Sequence, residues 1–151
     1  MSHLSFVKTL CYSGVIPFYL LAAISFFYKN FFIFDLFSIY SLVILSFLFG
    51  SSWLMIILFQ KEKVSQKLIF FIVITPVLLI FVEIFIQTQI KLFIYSLCFF
   101  GIFLIDNKYL KNLDYLKIRK NLTIQVVFNH MLILISIYTN DFWNIFKPIL
   151  I

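Results

Sequence analysis

Residues 36–59 read LFSIYSLVILSFLFGSSWLMIILF, twenty-four consecutive residues without a single charge. At ~1.5 Å per residue such a run makes a helix of ~36 Å, enough to cross the ~30 Å hydrocarbon core of a bilayer. Apolar residues here are continuous rather than alternating with polar ones, which excludes the ten-residue strands of a membrane barrel. A helix is the form that satisfies its own backbone hydrogen bonds in lipid. Outward from this segment, similar runs occupy residues 10–28, 68–86 and 122–138. A shorter one at 92–105 lengthens to 90–105 when Ile90 and the snorkelling stem of Lys91 are included. The expected fold is therefore all-α: a single membrane domain, residues 1–151, forming a bundle of about five transmembrane helices.

Composition supports this. The 151-residue chain is 64% hydrophobic and 12% charged, with a mean hydropathy of +1.10. A soluble domain needs about 25% charged residues to face water, and a disordered chain needs low hydrophobicity, so both are excluded. The net charge of +6 does not form a basic face for nucleic acid, because it is divided among short segments between apolar runs. Cys11 and Cys98 lie inside apolar runs at unlike depths and read as small hydrophobes. No cofactor motif or metal-ligand spacing is evident, and neither a cofactor nor a metal is expected.

Orientation follows from the basic residues of the connecting segments. Nine fall on one side: Lys8, Lys61, Lys63, Lys67, Lys108, Lys111, Lys117, Arg119 and Lys120. Three fall on the other: Lys29, Lys91 and Lys147. Positive charge stays in the cytoplasm, so the N-terminus is expected there, in a bacterial inner membrane or, alternatively, facing the matrix across a mitochondrial inner membrane. The first run is longer than a signal-peptide core and lacks a small-x-small cleavage site, so it reads as a retained helix. Residues 106–120 read as an interfacial loop with a basic face, and residues 139–151 as an interfacial tail holding Phe142, Trp143 and Phe146.

Three segments in order resemble a known family. They are Ser13-Gly14-Val15-Ile16-Pro17-Phe18, then Tyr40 through Trp53, then Asp106 combined with Tyr115-Leu116-Lys117-Ile118-Arg119-Lys120-Asn121-Leu122-Thr123. Together they are similar to the transmembrane protein 69 family of small bacterial inner-membrane and mitochondrial proteins. The resemblance implies a five-helix fold and no known activity. Phe49, Ser52, Leu54 and Asp114 depart from the family pattern, Ser52 standing where a histidine is frequent, so a role for that histidine does not carry over.

Several side chains could carry chemistry. Ser46, Gly50 and Trp53 lie at i, i+4 and i+7, a small-xxx-small stripe suited to close helix packing, with Pro17 as a further structural residue. The last run is the most polar: Gln125, Asn129 and His130, with Thr123 and Ser136, form a cluster that should turn away from lipid. Ser51 and His130 each lie about 12 Å in from the same side, which would permit a hydrolytic dyad. No nucleophile elbow or orienting acid accompanies them, and a non-enzymatic protein is expected. Glu83 should pair with Lys91 or snorkel. Asp106 sits at a helix C-terminus that disfavours an anion, and a bidentate pair with Arg119 is expected to compensate.

The functional expectation is an accessory, scaffold or assembly component of a larger membrane complex. Its partners would be the lipid bilayer and other membrane proteins, or further copies of itself. The alternative is a small oligomeric transporter or channel with the polar fifth span lining the path, and the third reading is an intramembrane enzyme.

Overall fold

The computed structural model describes residues 3–28, 31–60, 64–110 and 115–146, with side chains described over 8–28, 31–59, 64–110 and 115–139. Six helices account for most of them: α1 (His3–Ser13), α2 (Ile16–Phe27), α3 (Phe31–Gln60), α4 (Gln66–Phe85), α5 (Thr88–Tyr109) and α6 (Tyr115–Phe146). No strand occurs among the described residues. Five segments are long and apolar enough to cross a membrane, the first running from Lys8 to Phe27 across the α1–α2 junction.

That junction corrects the expectation of one continuous helix over 10–28. Pro17 stands in the first turn of α2 and cannot donate to the carbonyl of Ser13, and its ring would crowd that carbonyl. The chain therefore tightens at Gly14 and Val15, where Val15 N–H reaches back to Tyr12 O and Phe18 N–H to Val15 O. The Gly14 carbonyl accepts a hydrogen bond from Tyr40 Oη of α3 at 2.7 Å. A broken helix in lipid needs such a donor, because no water is present to replace the missing one.

The other ends shift too. α3 begins five residues before the expected 36, and α6 continues past 138 to Phe146; the side chains of Phe142, Trp143 and Phe146 lie outside the described residues. α5 runs to Tyr109 instead of ending at 105, and α6 begins at Tyr115 instead of 122. Residues 106–120 are thus mostly two helix ends, not a loop on the membrane surface. Asp106 and Arg119 lie inside these helix ends and face each other.

α3 is the hub, packing on α2, α4 and α5, while α6 closes the bundle against α5 and α2. α4 lies outside this group. It packs along α3, scarcely touches α5, and buries only Ile72, Thr75 and Leu79. Pro76 is accommodated within the continuous α4. Buried hydroxyls in these apolar helices donate to carbonyls of their own helix: Ser41 to Phe37 O, Ser96 to Leu92 O and Thr75 to Phe71 O, all within 2.9 Å. A hydroxyl bonded in this way can sit in an apolar core without an unmet donor.

Candidate functional site

Four helices meet at His130. Its ring is fully buried, with ring centroids of Phe37 at 5.0 Å, Phe99 at 5.5 Å and Phe18 at 5.9 Å, contributed by α3, α5 and α2. Nδ1 lies 2.9 Å from the carbonyl of Val126 one turn earlier. A carbonyl only accepts, so Nδ1 carries the proton and Nε2 presents a lone pair. Nε2 is buried without a hydrogen-bond partner. Its neighbour Asn129 repeats the pattern: Nδ2 donates to Gln125 O at 2.8 Å, and Oδ1 is buried and unmet. Gln125 itself is half-buried. Further along α6, Ser136 Oγ donates to Ser25 O of α2 at 3.0 Å. The polar face of α6 therefore points into the bundle, held by backbone carbonyls.

The sequence pattern does not show the three phenylalanines around His130. In helices that are apolar on every side, ring residues facing lipid and ring residues facing the core look alike. Ser51 and His130 are not brought together. Ser51 Oγ donates to Leu48 O at 3.0 Å and neighbours Tyr115 at the start of α6, about four helical turns from His130.

The stripe of Ser46, Gly50 and Trp53 is also placed differently from expectation. α3 buries Phe34, Phe37, Ser38, Ser41, Leu45, Phe49, Ser52 and Ile56, and carries Ser46, Gly50 and Trp53 half-buried on the flank. A Cβ added at Gly50 would meet nothing within 4 Å, so no described helix of the chain approaches closely there. Ser46 Oγ turns back to Leu42 O. Pro17 is half-buried and acts on the backbone, as described above.

One end of the bundle holds a part-buried ion pair. Lys91 Nζ lies 2.9 Å from Glu83 Oε1 and also donates to the Glu83 carbonyl at 3.2 Å. Glu83 Oε2 accepts from Tyr95 Oη at 2.6 Å and from Ser38 Oγ at 2.7 Å. Nearby, Thr88 Oγ1 donates to Asp35 Oδ1 at 3.2 Å. Glu83 thus ties α3, α4 and α5 together, each carboxylate oxygen having at least one donor. Lys91 was visible as its partner from sequence; Ser38, forty-five residues away, was not.

The lysine-rich end holds a second pair. Arg119 Nε lies 3.0 Å from Asp106 Oδ2, with the two groups 3% and 0% exposed. The pair is not bidentate. Arg119 Nη2 instead donates to Ser52 Oγ of α3 at 3.2 Å, and the guanidinium stands 5.8 Å from the centre of the Tyr115 ring. The Nε contact is close but poorly aligned, so it is an ion pair without a proper hydrogen bond. Ser52 also neighbours the carboxyl group, yet neither Asp106 oxygen receives a well-formed hydrogen bond. Cys11 of α1 is close enough to Arg119 and Tyr115 to interact electrostatically with both. No group of three or more metal-ligating side chains occurs among the described residues.

These features define a polytopic α-helical membrane protein with a group of polar side chains buried inside the bundle. The profile of the family described as "Protein of unknown function (DUF3429)" matches residues 5–135, and the chain belongs to that family. No curated protein and no solved structure matches it.

Proposed function

We propose that this chain is a non-enzymatic accessory or scaffold component of a larger membrane complex, of the transmembrane protein 69 type. Its N-terminus would face the cytoplasm across a bacterial inner membrane. The observation that carries this reading is the contrast between inside and outside. Asn129, His130, Ser136, Asp106 and Arg119 are all buried and turned into the bundle, whereas the exterior is built from large apolar side chains. α4 in particular leaves Phe70, Phe71, Leu78, Phe81 and Phe85 exposed beside the bundle, a broad surface for lipid or a partner helix. A path lined by the polar face of α6 would need that face open, and Asn129 and His130 are fully enclosed. Nine basic residues against three favour the cytoplasmic N-terminus.

The test is purification in the mildest detergent that extracts the protein, followed by native mass measurement and identification of each co-purifying chain. Foreign membrane subunits in fixed stoichiometry are expected. A monomer or homo-oligomer alone, coupled with flux that falls in Asn129→Leu, would overturn the accessory reading in favour of transport.

A further inference from the structure

The Asp106–Arg119 pair has hydrogen-bonding capacity that the closed bundle does not use. A buried carboxylate ordinarily gathers several donors, because each lone pair left bare in an apolar setting is unfavourable. Among the described residues no donor makes a proper hydrogen bond to either Asp106 oxygen, and the carboxyl group is completely covered. Arg119 divides itself between Asp106 and Ser52, and its Nε–H points off the line to the carboxylate. The site therefore presents an anion and a cation side by side, loosely joined.

Such a pair is complementary to a zwitterion, whose two charges can exchange partners with it at no change in net charge. A lone cation would be repelled by Arg119, and a lone anion by Asp106. The setting identifies the anionic half. Asp106 lies three residues from the end of α5 and Arg119 four residues from the start of α6, about one turn from the ends of their spans and so within reach of lipid head groups. Lys8, Lys108, Lys117 and Lys120 are exposed at this same end and attract phosphate.

We propose that Asp106 and Arg119 form a binding site for a phosphate–ammonium head group bearing N–H donors, that of an aminophospholipid, closed in this structure by α1. The ammonium donates to the open oxygens of Asp106, and the phosphate takes the guanidinium of Arg119. α1 is the inferred cover: it packs on α6 and brings Cys11 within electrostatic range of Arg119 and Tyr115. It also has a hinge. The helix is broken at Gly14–Val15 ahead of Pro17, and one hydrogen bond, Tyr40 Oη to Gly14 O, latches the break to α3. The accessory reading uses only the burial of this pair and no ligand on it, so the two tests fail separately.

Phosphocholine has the same charges and no N–H donor, so it is the natural control. The purified full chain is loaded with phosphatidylethanolamine or phosphatidylcholine of matched acyl chains, and the retained lipid is counted by native mass spectrometry. One phosphatidylethanolamine per chain is expected, at least tenfold preferred over phosphatidylcholine. Asp106→Asn should abolish the preference, and Ser136→Ala should keep it. Water-soluble glycerophosphoethanolamine separates the sources: displacement of the lipid shows that the head group alone suffices, and failure to displace it assigns the site to a membrane lipid. Equal retention of both lipids, or an unchanged preference in Asp106→Asn, overturns the proposal. A second readout does not depend on that variant folding. In a Cys98→Ala background, Tyr40→Phe should raise the rate of Cys11 alkylation by maleimide severalfold, and phosphatidylethanolamine should lower it again where phosphatidylcholine does not. Rates that ignore both the latch and the lipid would equally refute the site.

Discussion

The two ends of the bundle each pair one acid with one base, part-buried at Glu83 and fully buried at Asp106, and they are built to different standards. At the Glu83 end, Lys91, Tyr95 and Ser38 supply donors to both carboxylate oxygens from α3 and α5. At the Asp106 end, a misaligned guanidinium and the neighbouring Ser52 hydroxyl face the carboxylate without a well-formed hydrogen bond to either oxygen. A buried charge pair is stabilising only when its remaining lone pairs and protons are also met. The first pair is therefore a structural clamp. It holds α4, which has little other contact with α5, at the turn where the two helices join. The second pair is poorly optimised for stability, which is the usual signature of a place kept for something else.

This contrast can be broken by experiment. The largest effect should come from Lys91→Met, which leaves the part-buried Glu83 without its cation. A loss of about 3–5 kcal/mol is expected for unfolding in mixed micelles, with α4 released first in hydrogen exchange. Next, His130→Ala should cost about 3 kcal/mol through the cavity left among Phe18, Phe37 and Phe99. His130→Phe should cost far less, since it removes the unmet Nε2 while filling the space; thermal unfolding of the two variants side by side checks this. Tyr40→Phe should cost about 1–3 kcal/mol, the loss of one part-buried hydrogen bond at the α1–α2 break, and exchange should quicken in α1 while α5 keeps its protection. Smallest, Ser136→Ala should cost about 1 kcal/mol by removing the α6–α2 bond to Ser25 O.

Which parts of this were legible in the sequence follows from the range of each interaction. The five spans are read from local hydropathy, a property of about twenty consecutive residues, and they appear where expected apart from their ends. Those ends differ because hydropathy marks where a span stops being apolar, whereas a helix continues through charged residues: α5 runs past Asp106 to Tyr109 and α6 already begins at Tyr115, before Arg119. The charges themselves pointed to both acid–base pairs, because few other charges lie near the spans. Ser38, Tyr95 and Ser52 could not be assigned, since a hydroxyl in an apolar helix can equally bond to its own backbone, as Ser46 and Ser96 do. The break at Gly14–Val15 had a visible cause in Pro17, but the first span is apolar on both sides of it, and hydropathy alone runs straight across.

The most direct test of the difference between the two ends is a pair of double-mutant cycles in the same micelles. One uses Glu83→Gln and Lys91→Met, the other Asp106→Asn and Arg119→Gln. The well-formed Lys91–Glu83 hydrogen bond predicts a coupling of about 2–3 kcal/mol there, and the misaligned Arg119–Asp106 contact about 1 kcal/mol or less. Equal couplings, or a stronger one at Asp106, would mean that both pairs are structural clamps and that the lysine-rich end holds no unused binding capacity.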